Sequence, residues 1–330
     1  MKRFEHGAVV FIAALMVGLV GITIPDPPAQ ATSAPKAGLR LSVSLPIPSK
    51  RTLLDRGAVL SRDPAIARET ARALAETFAG LGYDLDSVLS GDGRVPRVFF
   101  ASLPPDMAEI PEVGVRKAIF FKTVLPLILQ VNEETLVERK RVWDLGYRMR
   151  LGQHFDAIDR LWLAGRFERY GVAPGDIDGL LGRMDIVPPS LALAQSAEES
   201  GWGTSRFVRE GNALFGQWVF SGNRHMTPAQ RDEGMTHRVK AFSTLVDSVR
   251  AYVANLNTHR AYATFRRDRA AMRASGRPVD GMVLAGRLTR YSERGAGYVK
   301  TIRSIISVNR LSQLDDARLH DGKAVSEPVI

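Results

Sequence analysis

The sequence predicts a mainly helical fold carrying one small β-containing lobe. Side chains recur on one helical face along most of the chain beyond residue 63, as in Ile66, Thr70, Leu74, Phe78 and Leu81, and glycines and prolines punctuate these runs. Only between Gln217 and Phe242 does the pattern change, to polar, glycine-containing stretches and the alternating segment His237-Arg238-Val239-Lys240-Ala241-Phe242, which reads as a strand.

Taken in order, residues 1–31 read as a secretory signal peptide. Lys2 and Arg3 precede an apolar run from Ala8 to Ile24; Pro25, Pro27 and Pro28 break it, and Ala29-Gln30-Ala31 offers a small-residue cleavage site. An uncleaved membrane anchor is the alternative, and both place the rest of the chain outside the cytoplasm, in the periplasm or cell envelope. Residues 32–62 read as a linker with room for one short strand. Asp63-Pro64 then opens a helix that runs to Gly82, the cap residue preceding a proline in the first turn. Val95 to Pro111 forms loop and turn, and Glu112 to Arg150 reads as long helical segments interrupted at Pro126, which closes a helical N-terminal region over residues 63–150. Lys117, Lys122 and Pro126 mark Val115–Val131 as a core helix rather than a membrane span. Phe120, Phe121, Leu125 and Leu129 are expected in the core.

The spacing predicts a further helix over His154–Tyr170, with Leu161, Trp162 and Phe167 as apolar anchors, and a short amphipathic stretch by Arg183. Pro188 and Pro189 open the next helix, which Gly201 ends. Helical spacing returns at Leu245, Val249, Tyr252, Val253 and Leu256, and again over Tyr298–Val308, and the polar tail from Ser312 (312–330) is expected to be mobile.

Composition narrows the function. The chain has 330 residues, 45% of them hydrophobic, and a formal charge of +10, and residues 201–310 hold 19 basic and 7 acidic residues, a local balance of +12. That half should seek polyanions. No recognition helix, zinc spacing or aromatic RNA-binding motif supports nucleic acid as partner, whereas peptidoglycan, with free peptide carboxylates and associated anionic polymers, suits the charge. Cysteine is absent, which removes disulfides and thiol nucleophiles. The histidines show no H-E-x-x-H or other close ligand spacing, and there is no G-x-S-x-G turn, so neither a metal, a cofactor nor serine chemistry is expected.

The chemistry concentrates at Glu199. It lies in the last turn of the helix opened by Pro188 and Pro189, where unpaired carbonyls give a partial negative charge that disfavours a carboxylate and pushes its pKa upward. Trp202 and Phe215 would supply an apolar wall acting in the same direction. A carboxyl that keeps its proton near neutral pH is suited to general acid catalysis.

The run Ala194-Gln195-Ser196-Ala197-Glu198-Glu199-Ser200-Gly201-Trp202-Gly203-Thr204-Ser205, followed by Gly211-Asn212-Ala213-Leu214-Phe215-Gly216, resembles the signature of glycoside hydrolase family 73, bacterial cell-wall N-acetylglucosaminidases, and most closely its Bax-type branch. The resemblance implies a lysozyme-like plan over residues 151–311, a helical body interrupted once by a small sheet, and cleavage of the β-1,4 bond between N-acetylglucosamine and N-acetylmuramic acid. It places Glu199 as catalytic acid. Many members carry an apolar residue where this chain has Glu198, whose charge either faces water or raises the pKa of Glu199. For the second catalytic group, Glu233 stands roughly where the family tends to put another carboxylate, Asp232 is its alternative, and the substrate's own N-acetyl group is a third possibility. Tyr291 and Tyr298 resemble the paired tyrosines before the family's final helix, Tyr298 being the better candidate for the site. Trp202, Asn212, Phe215 and Trp218 complete the expected sugar-binding set; Trp202 and Phe215 are alternatively packing residues. A lytic transglycosylase on the same plan and a non-catalytic wall-binding protein remain as rival readings.

Overall fold

In the computed structural model, residues 59–60, 70–219, 225–226 and 238–320 are described. The expected signal segment, Asp63-Pro64, Asp232 and Glu233 therefore lie outside the described residues.

The first described helix, α1 (Ala71–Gly80), is opened by Thr70, which is extended and caps it, its hydroxyl accepting from the Ala73 amide. The inward face is the expected one, with Leu74 and Phe78 buried. A short α2 (Leu85–Ser90) follows, capped by Asp84. Phe99–Phe100 (β2) pairs in parallel with Val59–Leu60 (β1).

Next comes α3 (Val113–Arg150), one helix of 38 residues, not two segments. Proline at position 126 removes one intrahelical hydrogen bond and crowds the preceding turn, at a cost of about 3 kcal/mol. Around it Phe120, Val124, Leu125, Leu127 and Ile128 are completely buried. At about 1.5–3 kcal/mol for each such side chain, packing outweighs the local defect. Phe121 and Leu129 join the same core, as expected.

The second half of α3 packs with α4 (Ala157–Tyr170) and α5 (Ile177–Arg183) around a smaller core of Val142, Leu145, Leu163, Phe167, Ile177 and Leu180. Of the anchors expected in α4, Phe167 is buried and Trp162 partly so, with the Arg141 guanidinium 4.2 Å from its ring centre, but Leu161 is 74% exposed. It lies off the stripe formed by Leu163, Phe167 and Tyr170, which the helical period turns inward.

At the centre lies α6 (Pro189–Ser200), every residue of which is buried from Pro189 to Ala197. A helix that is apolar or small on all sides belongs inside. It touches α3, α10 (Gly281–Ala285), α11 (Ala296–Val308) and the 3-10 turn Leu311–Leu314. Its N-terminus is held by Asp315, whose carboxylate accepts from the Ser190 amide at 2.9 Å and the Gly281 amide at 3.0 Å. The expectation of a mobile tail from Ser312 is thus corrected for its described part. Leu314 and Leu319 are buried, Leu319 bridges to Val95, and the His320 amide donates to the Val95 carbonyl.

Behind α6, α8 (Leu245–Thr258) and α9 (Ala263–Ala274) are tied to α3 and α5 around the buried Asp185, whose carbonyl accepts from Asn257 of α8 and whose carboxylate meets Arg273 of α9 and Arg139 of α3. Arg273 grips it with two hydrogen bonds, at 2.9 and 2.8 Å. The fully buried Arg269 donates to the Asp185, Ile186 and Arg183 carbonyls and to Asn257 Oδ1. Burial pushes the Asp185 pKa upward, but the hydrogen bonds from Arg273 and the charges of Arg269 and Arg139 outweigh it and hold the group below the usual carboxylate range.

The β lobe leaves the body after α7 (Arg206–Gly211). Trp218–Val219 (β3), His225–Met226 (β4) and Arg238–Lys240 (β5) form an antiparallel sheet in the order β3-β5-β4, with Trp218 opposite Val239 and Met226 opposite the same residue. The alternating segment is therefore the central strand. Helices dominate the rest, giving a mainly helical body with a small sheet. Among the described residues no helix is long and apolar enough to cross a membrane.

Candidate active site

Glu199 sits in the last turn of α6, and Gly201, left-handed at φ +58°, stops the helix behind it. Trp202 and Gly203 are left-handed too, at φ +59° and +81°. This succession of left-handed residues reverses the chain at once. A Cβ at position 203 would come within 2.8 Å of Leu103 and 3.2 Å of Phe120, so the second glycine of the Gly-Trp-Gly run is required by close packing as well as by φ.

The reversal sends Trp202 toward α3. Its ring meets Phe121 and Phe120 edge-on, with centroids 5.4 and 6.1 Å apart, and the Lys117 ammonium lies 4.5 Å from its centre. Of the two roles considered for Trp202, packing describes these contacts. Asn212 takes a left-handed φ of +51°, and its side-chain amide donates to the Phe242 and Ser243 carbonyls. It pins the chain where the β lobe returns, beside the Phe242 amide, which donates to the Gly211 carbonyl. Phe215 is buried and stacks on Tyr252 at 3.9 Å with the rings 5° from parallel. The backbone of Trp218 is paired in β3.

Phenols stand around Glu199. The Tyr298 hydroxyl, presented from the first turn of α11, donates to Glu199 Oε1 at 2.8 Å. Tyr291 stacks on Tyr298 at 5.4 Å and 11°, and Tyr262 leans on Tyr291 at 6.0 Å. The two tyrosines singled out in the sequence thus stand together beside the carboxyl. On the other side, a Cβ on Gly216 would lie 3.8 Å from Glu199 Oε2.

Burial raises the Glu199 pKa to about 7; the Tyr298 hydrogen bond opposes that rise, the charge of Glu198 adds to it, and Arg294 lowers it. Burial, more than position at the helix end, is the main cause. Glu198 does not simply face water. It is part-buried and paired with Arg294 at 2.7 Å, and its charge acts on Glu199 in the direction considered above. A carboxyl in this setting holds its proton close to neutral pH and can pass it to a base.

Three side chains to which the sequence reading gave no role in the site belong to it. Gln195, one turn before Glu199, donates from Nε2 to the Tyr298 hydroxyl at 2.8 Å and accepts at Oε1 from the Tyr252 hydroxyl at 2.7 Å. Tyr262 closes the row of rings. The signal for Gln195 was an amide four residues before Glu199 in an otherwise apolar or small run, Leu-Ala-Leu-Ala-Gln-Ser-Ala. Tyr252 and Tyr262 gave no comparable signal. Among the described residues no cluster of His, Cys, Asp and Glu side chains could hold a metal ion.

The family model for glucosaminidases, described as mannosyl-glycoprotein endo-beta-N-acetylglucosaminidase, matches residues 180–311, the interval from α5 through α11. Protein bax of Escherichia coli (strain K12) is 36% identical over 200 residues, covering 59% of this chain and 70% of that protein. No solved structure matches. With a helical body, a small sheet and a partly buried glutamate where the matched interval turns from one to the other, the chain belongs to the glucosaminidase family, in which Protein bax is a relative.

Proposed function

We propose that the protein is an exported peptidoglycan hydrolase that cleaves the β-1,4 bond between N-acetylglucosamine and N-acetylmuramic acid, with Glu199 as the general acid. The observation that carries this is the Glu199 carboxyl, partly buried beside four phenols, bonded to Tyr298 and with its pKa raised to about 7. Cleavage of a glycosidic bond requires a proton on the departing oxygen, and a carboxylic acid still protonated near neutral pH supplies it. The developing positive charge at the anomeric carbon then needs a carboxylate or the substrate's N-acetyl oxygen. Glu233, with Asp232 as alternative, fills the first role in this proposal, and Tyr298 and Tyr291 line the acid's side of the sugar, with Trp218 as a further sugar contact. The surplus of basic residues in 201–310 favours an anionic polymer in the cell envelope.

The test is digestion of purified sacculi by wild type, Glu199→Gln, Glu198→Gln and Glu233→Gln proteins, with mass spectrometry of the products. Reducing N-acetylglucosamine ends are expected, with at least about a hundredfold loss for Glu199→Gln and a far smaller one for Glu198→Gln. Anhydro-muramyl ends would replace hydrolysis with transglycosylation. Sacculus binding with no sugar released by the wild type would leave a wall-binding protein. A severe loss in Glu233→Gln indicates a second carboxylate, and near-normal rates favour assistance by the N-acetyl group.

A further inference from the structure

The hydrogen bonds behind Glu199 run in one direction. The Tyr298 hydroxyl lies 2.8 Å from Gln195 Nε2 and 2.8 Å from Glu199 Oε1. An amide nitrogen only donates, so the phenol must accept from Gln195 and turn its single proton toward Glu199. The Gln195 amide is itself held in this sense, because Tyr252 donates to its Oε1 at 2.7 Å. Turning the amide over would take from the Tyr252 hydroxyl the acceptor it has in this structure. Tyr252 is fully buried and its ring is clamped on Phe215, so it cannot swing away. Gln195 is fully buried as well.

We propose that Gln195 and Tyr252 are positioning residues that fix the Tyr298 proton on Glu199 Oε1, so that the proton given to the glycosidic oxygen is carried by Oε2. This rests on the reading of Glu199 as the acid. Oε1 faces the helical body and receives a donor in both ionisation states. Oε2 lies toward Gly216, in the turn that leads into the β lobe, and is left to hold the transferable proton. When it leaves, the proton passes to the departing sugar oxygen as the glycosidic C–O electron pair moves onto that oxygen, and Glu199 remains as a carboxylate still bonded to Tyr298. Gln195 and Tyr252 touch neither sugar nor reacting atoms; they set the sense of the bond that does.

Losing the relay frees the Tyr298 hydroxyl to rotate and accept from a protonated Glu199, which favours the neutral acid. Glu198, Arg294, Tyr252, Tyr262, Tyr291 and Tyr298 are the other charged or titratable groups facing Glu199. Burial pushes all four phenols above their ordinary values, and Glu198 is held in its ion pair with Arg294.

The experiment titrates the Glu199 carboxyl directly, by 13C NMR of protein labelled at glutamate, in wild type, Tyr252→Phe and Gln195→Met, the resonance being assigned by its loss in Glu199→Gln. The proposal expects the midpoint to rise by about half to one pH unit in both variants, with kcat falling more than KM changes. Tyr252→Phe keeps the ring stacked on Phe215 and so separates relay from packing if Gln195→Met fails to fold. An unmoved midpoint in folded Tyr252→Phe protein overturns the proposal, since a purely structural role predicts a lower melting temperature with the titration unchanged. Activity of Glu199→Gln judges the acid assignment independently: a fully active variant removes that assignment, while the carboxyl titration still decides the relay.

Discussion

Replacing Glu199 with Gln should stabilise the protein at alkaline pH. The folded state raises this carboxyl from its ordinary 4.5 to about 7, chiefly through burial. A folded pKa above the unfolded one means that the native protein binds the extra proton between these values, so wild-type stability falls as pH rises from 4.5 to 7. At 1.36 kcal/mol per pH unit the accumulated loss is about 3 kcal/mol, fully present above pH 7 and absent below 4.5. Gln carries no charge at any pH, keeps the volume, and still accepts from Tyr298. The difference between Glu199→Gln and wild type should therefore grow by about 3 kcal/mol from pH 4.5 to pH 8. Asp315, raised to about 6 by burial, adds a similar slope to both proteins and cancels in the comparison. Urea denaturation of the two proteins at pH 4.5, 6 and 8, with matched m-values, measures the quantity. Parallel stability curves would refute the argument, for they would mean that Glu199 titrates alike in the folded and unfolded chains.

Other consequences are as direct. Asp185→Ala leaves Arg269 and Arg273 without their buried counter-charge and should cost about 3–5 kcal/mol, read as a fall in the urea midpoint. Gly203→Ala forces a methyl group against Leu103 and Phe120 at a left-handed φ and should lose at least about 1–3 kcal/mol, with the melting temperature as readout. Retention on sacculi should weaken steadily as salt rises, because the basic surplus of residues 201–310 acts through screened surface attraction; equal retention at low and high salt would remove that role.

What the sequence determined by itself is mostly local. Proline at position 189 and glycine at 201 bound α6 and put Glu199 in its last turn. The alternating segment identified β5, and the helical spacing over Tyr298–Val308 identified α11. Each of these signals is a property of a few neighbouring residues, which is the range over which propensity, capping and periodicity act. Tertiary structure decided the rest. Pro126 did not break α3, because burial around it exceeds a single helix defect. The left-handed backbone at Trp202 turned its ring toward α3, and Phe215 found Tyr252 as its partner. The described part of the polar tail, residues 312–320, is fastened to the body through Asp315 and the Leu319 bridge, groups whose partners lie far back in the chain. Above all, the pKa of Glu199 and the direction of the bonds behind it depend on Tyr252, 57 positions from Gln195, and on Tyr298, 99 positions from Glu199. Desolvation and hydrogen-bond direction are set by what packs around a group in space, and residues that distant meet only when the helices that carry them close on one another.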